Sequence, residues 1–453
     1  LAWSLGYVTL AVGHLNILSM AFGVILIGLG VDFTIHYFAR YLYLRRSIDS
    51  SEEALHQTVA SVGPGIVIGG LTTSIAFFTA GLTDFTGVAE LGVIVGGGIV
   101  GISTAYYLTE SGINCVIIEK DPIGSHASGF AYGSIGASKT QGLNYPLALK
   151  GCSLHKQLSE FLPAETGIDI QYREKSSIKL AFNEKEKEHL LQPDSYLHEN
   201  NKYEFDWLEP SKIFSLEPSI SKLILGGVYV KKSVDVNPSN LLSALHAAIT
   251  IKGVSFIYDE IVGLKINSNG SLTMNLKNTT DISCNKMVVS MGPWSNQLSN
   301  WINVKLPIMP LKGQILRLSK PGIMENCSVS WSGNYANLKP DGLIWTGTTE
   351  ENQGYDESTT IEARNKIMRS AIKMIPSITN AKIIKQTACI RPMSPDNLPV
   401  IGNFSNFPQI FIGTGGLRSG ITLGPAMGKI ISELILKSST DIDITPFTPN
   451  RFE

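Results

Sequence analysis

From Leu1 to Val31 the chain carries no Lys, Arg, Asp or Glu, and a second uncharged run extends from Thr58 to Thr83. Each is long enough to cross a hydrocarbon core, which takes about twenty apolar residues. The second run holds small and hydroxyl residues (Gly63, Gly65, Gly69, Gly70, Thr72, Thr73, Ser74) of the kind that let membrane helices approach closely. The pattern predicts two spanning helices, joined by a basic amphipathic segment with Arg40, Arg45 and Arg46 and a helix start near Ser51.

The pattern then changes. Val93-Ile94-Val95 is a short apolar run, Gly96, Gly98 and Gly101 follow in G-x-G-x-x-G spacing, and a second apolar run ends at Glu119. This predicts strand, tight turn, helix Ile99 to Ser111 closed by Gly112, and strand. The first glycine permits the turn, the second lets a pyrophosphate approach the backbone, and the third lets helix and strand pack closely. The helix would aim its N–H groups and positive dipole end at phosphates. Glu119 has the spacing of an acid that accepts from a ribose hydroxyl, which argues against NADP; this unit alone does not separate NAD from FAD.

Residues 121–138 lack periodicity and are rich in Gly, Ser and Ala, so they read as a loop. Helices are expected at Tyr145–Phe161, Glu184–Leu191, Leu241–Ile251 and Ile361–Ile375, the last stopped by Pro376. Strands are expected at Gly227–Asp235, Val254–Tyr258, Ile261–Ile266, Leu272–Leu276 and Met287–Ser290, and at Leu343–Gly347 after an Asp341-Gly342 turn. Near the end, a strand, the glycine-rich turn Gly415-Gly416 and a helix could set a second helix N-terminus beside a ligand.

The chain has 453 residues, 43% of them hydrophobic, enough for two or three cores. Its net charge of -1 argues against a nucleic-acid partner. The five cysteines are scattered without a C-x-x-C pair, which is neither a zinc pattern nor a disulfide framework and fits a reducing compartment. The start at Leu1 rather than Met is expected of a fragment.

The strings GVILIGLGVDFTIHYFARY and EEALHQTVASVGPGIVIGGLTTSIAFFTAGLTDFTGVAELG resemble the resistance–nodulation–division transporters, in the MMPL-like, hopanoid-associated branch. The resemblance covers about the first ninety residues and places Asp32 at an acid implicated there in proton coupling. Two helices cannot form a transport pathway, so no activity is assigned to Asp32. The string LGVIVGGGI suits both that family's next helix and a dinucleotide-binding strand, as at a fusion joint.

From Leu91 onward the chain resembles FAD-dependent oxidoreductases of the D-amino-acid oxidase superfamily, of the glycine oxidase and D-amino-acid dehydrogenase kind. The separated motifs are VIVGGGIVGISTAYYLTESG, VIIEKDPIGSHASGFAYGS, VVSMGPWS, PIMPLKGQIL, DGLIWTGTTEENQGYD, IRPMSPDNLPVIG and GTGGLRSGITLGPAMGKIISELI. The resemblance implies FAD as cofactor. It places Gly96, Gly98, Ile99, Val100 and Gly101 at the pyrophosphate, and Glu119 and Lys120 at the adenosine ribose. Ala127, Ser128, Tyr132, Gly133 and Ser134 would approach the flavin from the loop, with the Ile261 backbone at the adenine. Gly292 and Trp294 belong to the strand-end motif; Gly415, Gly416, Gly420, Ile421 and Thr422 would surround the ring. Gly416 stands where the family often has His, a departure from glycine oxidase. His126 is expected to be inert.

In such enzymes the protein positions a C–N bond over the flavin and grips the substrate carboxylate, best done by a bidentate arginine. Arg391 and Arg418 stand in family positions for this, and Tyr335 in a hairpin from which relatives reach substrate. No acid–base catalyst and no metal ligand are implied; Lys312 could assist reoxidation.

The expected fold is α/β: a Rossmann-like FAD-binding domain with an interleaved α+β substrate domain, after two transmembrane helices. The expected division is 1–90 membrane segment; 91–145, 231–300 and 386–453 FAD-binding; 146–230 and 301–385 substrate domain. The expected activity is oxidation of the C–N bond of a small amino acid or secondary amine carboxylate by hydride transfer to flavin, with oxygen or a quinone as acceptor. The competing reading is a transporter fragment with a non-functional fused domain. Membrane association would come through residues 1–90, with the catalytic part cytoplasmic.

Overall fold

The computed structural model describes residues 31, 33–82, 92–137, 142–192, 205–320 and 327–453. The chain divides into two compact units, Leu1–Thr86 and Gly87–Glu453.

In the first unit a helix over residues 33–44 precedes the helix Ser51–Leu82. Glu52 and Glu53 occupy the latter's first turn, where the helix dipole favours acids. The two helices meet where Gly69 faces the Phe33 ring: a Cβ there would lie 3.1 Å from Phe33 Cζ. The expected first span and Asp32 lie outside the described residues, Val31 apart. The expected second span coincides with the later part of Ser51–Leu82, but among the described residues no helix is long and apolar enough to cross a membrane. To that extent the expectation of two transmembrane helices is not met: up to residue 70 the helix mixes Glu52, Glu53, His56 and Gln57 with its apolar positions.

The second unit is built on a six-stranded sheet, ordered Val400–Phe404, Phe407–Thr414, Met287–Val289, Gly92–Val95, Cys115–Glu119, Ser255–Tyr258. All pairs are parallel except the first. Strands covered on both faces must be apolar throughout, and Val93, Ile94, Ile117, Val288 and Ile412 are fully buried. One face packs on the helices Ile99–Glu110, Asn144–Thr166, Pro238–Ile251 and Gly420–Lys437. The other packs on a three-stranded sheet, Ile261–Ile266, Leu272–Leu276 and Ile282–Cys284.

A second, mixed sheet runs Ile383–Met393, Met309–Leu318, Ile344–Gly347, Asn334–Leu338, Cys327–Trp331, Arg173–Ala181, Gly226–Asp235, Ser134–Ile135. The helix Ile361–Met374 covers one face through Ile367, Ala371 and Met374. Residues of the other face, among them Ser177, Val228, Ile315 and Tyr335, line a cavity.

Most expected elements appear within a few residues. The stretch expected to be a loop does not stay one: it contains the helix Ala127–Phe130 and the strand Ser134–Ile135, paired with Val234 and Asp235. A two-residue strand exists only because a partner from far along the chain lies beside it, so local periodicity carries no trace of it.

Candidate active site

The glycine turn follows the strand Gly92–Val95 and is held by Ser290, just past the strand Met287–Val289. Gly96 has φ +101°, and a Cβ there would fall 2.4 Å from Ser290 O. At Gly101 a Cβ would fall 1.9 Å from Gly96 O, so the helix seats directly on the turn. Ser290 Oγ donates between Val95 O (2.9 Å) and Gly96 O (2.8 Å), clamping the turn to the neighbouring strand. Glu119 Oε2 accepts from Gly97 N at 2.7 Å, and Ser128 Oγ accepts from Ile99 N at 3.0 Å.

This turn opens into a cavity of about 630 Å³, within the span of about 300–1,000 Å³ usual for ligand sites. Gly96, Gly98, Ile99, Val100, Glu119, Lys120, Ala127, Ser128, Tyr132 and Ser134 line it. So do Ile261, Gly292, Trp294, Gly416, Gly420, Ile421 and Thr422. Gly101, Gly133 and Gly415 are not among its lining residues. Gly133 (φ +81°) and Gly415 (φ +77°) bend the backbone behind the wall, and Gly101 is consumed by helix packing.

One stretch of wall joins the loop after Glu119 to the strand-end motif. Lys120 Nζ lies 4.1 Å from the Trp294 ring centre, and the His126 ring meets Trp294 edge-on at 4.8 Å. His126 is also held by Asp121 (2.8 Å) and Glu357 (3.2 Å), so it bridges two loops rather than standing idle. Lys312 is fully buried, bonds Asp356 at 2.6 Å, and is not a lining residue.

Arg391, Arg418 and Tyr335 all reach the same cavity. Both guanidinium groups act on the buried Tyr335 hydroxyl, drawing its pKa down against the larger upward push of burial. The two arginines differ in what they have left to offer. Arg418 gives Nη2 to Gly333 O (2.6 Å) and Nη1 to Glu350 (3.3 Å). Arg391 gives Nη2 to Thr348 Oγ1 (2.7 Å) and Thr349 O (3.3 Å). Its Nη1 is buried and finds no hydrogen-bond partner among the described residues. A buried charged donor without a partner is costly, and an anion from the cavity would satisfy it.

Three supporting arrangements arise only on folding, the first between two residues already named. Tyr132 stacks on Tyr335, ring centres 3.7 Å apart. Behind them Asp235 accepts from Arg173 (3.1 Å), Asn337 (2.7 Å) and Lys339 (3.2 Å). Burial pushes the Lys339 ammonium down to about 8 against the pull of Asp235. At the second turn, His155 Nε2 donates to Ile421 O at 2.7 Å. Pro425 inside the helix Gly420–Lys437 hinted at such a need, because it lacks the N–H that Ile421 O would otherwise receive.

The residues present fit a dinucleotide: a helix start on a glycine turn that side chains cannot enter, an acid beside it, and a roomy cavity leading to an unsatisfied cation. The comparisons agree. A family model described as FAD dependent oxidoreductase matches residues 93–434, and one described as MMPL family matches residues 2–109. The two matches overlap on residues 93–109, the strand, glycine turn and helix that suit both families. Glycine oxidase of Bacillus licheniformis is 27% identical over 348 residues, 76% of this chain and 92% of that protein. The crystal structure of glycine oxidase from Geobacillus kaustophilus superposes with a TM-score of 0.76 at 26% identity, covering 79% of this chain and 98% of the other. L-proline dehydrogenase from P. horikoshii shares the fold, with a TM-score of 0.72 at 22% identity over 80% of this chain and 98% of the other. With three quarters of its length matched by one family model and the glycine turn to receive the cofactor, this chain belongs to the FAD-dependent oxidoreductases.

Proposed function

We propose that this chain oxidises the C–N bond of a small amino acid or secondary amine that carries a carboxylate. The observation that carries the reading is Arg391, which lines the FAD cavity and has in Nη1 a buried charged donor without a partner among the described residues. FAD, when bound, supplies the two-electron acceptor for the hydride. The chain's own residues would bind and orient. Arg391 holds the carboxylate, already braced by Thr348 and Thr349, and Tyr335 offers its hydroxyl from the strand Asn334–Leu338 of the same sheet. Burial keeps Tyr335 protonated, so it acts as a donor and not as a base. Gly96, Gly98, Ile99 and Val100 would receive the pyrophosphate, with Glu119 and Lys120 at the ribose.

The glycine oxidase relatives support an amino-acid substrate. A transporter fragment with a decayed extension is not favoured, because decay would not preserve tight glycine contacts and an ordered cavity together. The test is to purify the full chain with FAD and titrate it anaerobically with small amino acids and N-methylated amines. Bleaching of the yellow colour by a carboxylate-bearing amine, and not by its amide, is the expected result. No bleaching by any member would remove the reading. Hydrogen peroxide on admitting air separates oxygen from a quinone as acceptor.

A further inference from the structure

Gly313 stands in the interior of the strand Met309–Leu318, where glycine weakens a sheet. It is not there for its backbone: its φ is not in the left-handed region that favours glycine. The need is spatial. The strand pairs with Ile383–Met393 so that Gly313 faces Cys389 and Leu311 faces Arg391, making Gly313 and Arg391 diagonal neighbours on one face. A Cβ on Gly313 would lie 1.8 Å from Arg391 Nη2, 2.3 Å from Cζ and 2.9 Å from Nη1. The guanidinium fills the space that a side chain at 313 would take.

Neither partner can step aside cheaply. Next to Gly313, Gln314 N donates to Thr349 Oγ1 at 2.9 Å, and Lys312 N donates to Glu351 O at 3.0 Å. The backbone at 313 is thus tied to the segment that also grips Arg391 Nη2. An added side chain would drive the guanidinium off Thr348.

We propose that Gly313 is a positioning residue for the anion site: its missing side chain is the cradle that holds the Arg391 fork flat against Thr348, on the wall of the cavity where a carboxylate would bind. This rests on the reading that Arg391 receives the substrate carboxylate. Gly313 also lines the cavity, but it offers no side chain to a ligand and acts through Arg391.

The test is a four-protein cycle on the FAD-loaded full chain: wild type, Gly313→Ala, Arg391→Met and the double variant. Acetate is the probe, its binding read from the perturbation of the flavin spectrum. Losing a charged hydrogen bond weakens binding about ten-fold or more. Gly313→Ala should therefore weaken acetate by that factor, and Arg391→Met at least as much. In the Arg391→Met background Gly313→Ala should cost nothing further, because no fork is left to displace. An equal loss in both backgrounds would show a merely structural glycine and overturn the proposal. Wild-type acetate binding by Gly313→Ala, with Arg391→Met impaired, overturns the proposal but leaves the role of Arg391 standing. Wild-type binding by Arg391→Met removes both. If Gly313→Ala fails to fold, recovery in the double variant supports the proposal, and failure of the double variant as well overturns it.

Discussion

His155 Nε2 donates a 2.7 Å hydrogen bond to the carbonyl of Ile421. In an uninterrupted helix that carbonyl would receive the N–H four residues on, but the residue there is Pro425. The histidine, from the helix Asn144–Thr166, supplies the missing donor and locks one helix to the first turn of another. Gly151, one turn earlier on the same helix, makes the approach possible: a Cβ there would lie 2.1 Å from Thr422 O.

His155→Leu therefore leaves a buried carbonyl unsatisfied. A loss of about 1–3 kcal/mol is expected. It should appear as a lower melting temperature, and as weaker FAD retention because Ile421 and Thr422 line the cavity. A melting temperature equal to wild type would show that the bond contributes nothing.

The same histidine sets a pH dependence. Burial pushes its pKa down to about 4, from an ordinary value of 6.5. Between those values the unfolded chain binds a proton that the folded chain does not, so stability rises with pH across that window. Its contribution is whole above about 6.5 and is lost as pH falls toward about 4, amounting to about 3 kcal/mol. Urea titrations at several pH values should show this slope in wild type and a shallower one in His155→Leu.

Gly101→Ala places a methyl group against Gly96 O and Ser290 Oγ. Turn and helix must separate, and the pyrophosphate seat opens with them. The expected product is a protein purified without yellow colour that added FAD does not restore. Wild-type flavin content would show that the contact yields easily.

Arg391→Lys keeps the charge but loses the fork and the bond to Thr348 Oγ1. Steady-state assays should show a rise in KM of about ten-fold or more, larger than the fall in kcat. An unchanged KM would take Arg391 out of the substrate site.

Asp235→Asn removes the carboxylate that compensates buried Lys339 and the nearby Arg173 and Lys175. Breaking a buried ion pair from one side costs about 3–5 kcal/mol. Thermal melts should detect it, and Tyr132, whose ring lies 4.9 Å from Lys339 Nζ, would lose its backing.

Local pattern was enough to find the dinucleotide unit, because its strand, turn, helix and acid lie within thirty residues, although the clamp from Ser290 is distant in sequence. The strand Val93–Val95, the helix after Gly98 and the acid at Glu119 are read from apolar runs and glycine spacing, and the structure forms them. The turn at Asp341-Gly342 is equally local, and Gly342 takes φ +78°. The strand Ser134–Ile135 was not legible, since it is created by pairing with Val234 and Asp235. Composition alone suggested membrane spans before residue 84, yet the first falls outside the described residues and no described helix meets the requirement.

Family, cofactor and the arginines on offer can all be read from the order of residues, because motif spacing encodes backbone turns and charge does not depend on folding. Which donors already have partners emerges with folding alone. Arg418 bonds Gly333 and Glu350, while Arg391 has one buried nitrogen without a partner among the described residues. That difference comes from contacts between strands more than forty residues apart, and so do the bare backbone at Gly313 and the histidine that answers Pro425. No run of neighbouring residues can record such pairings, since the chain brings them together only by folding.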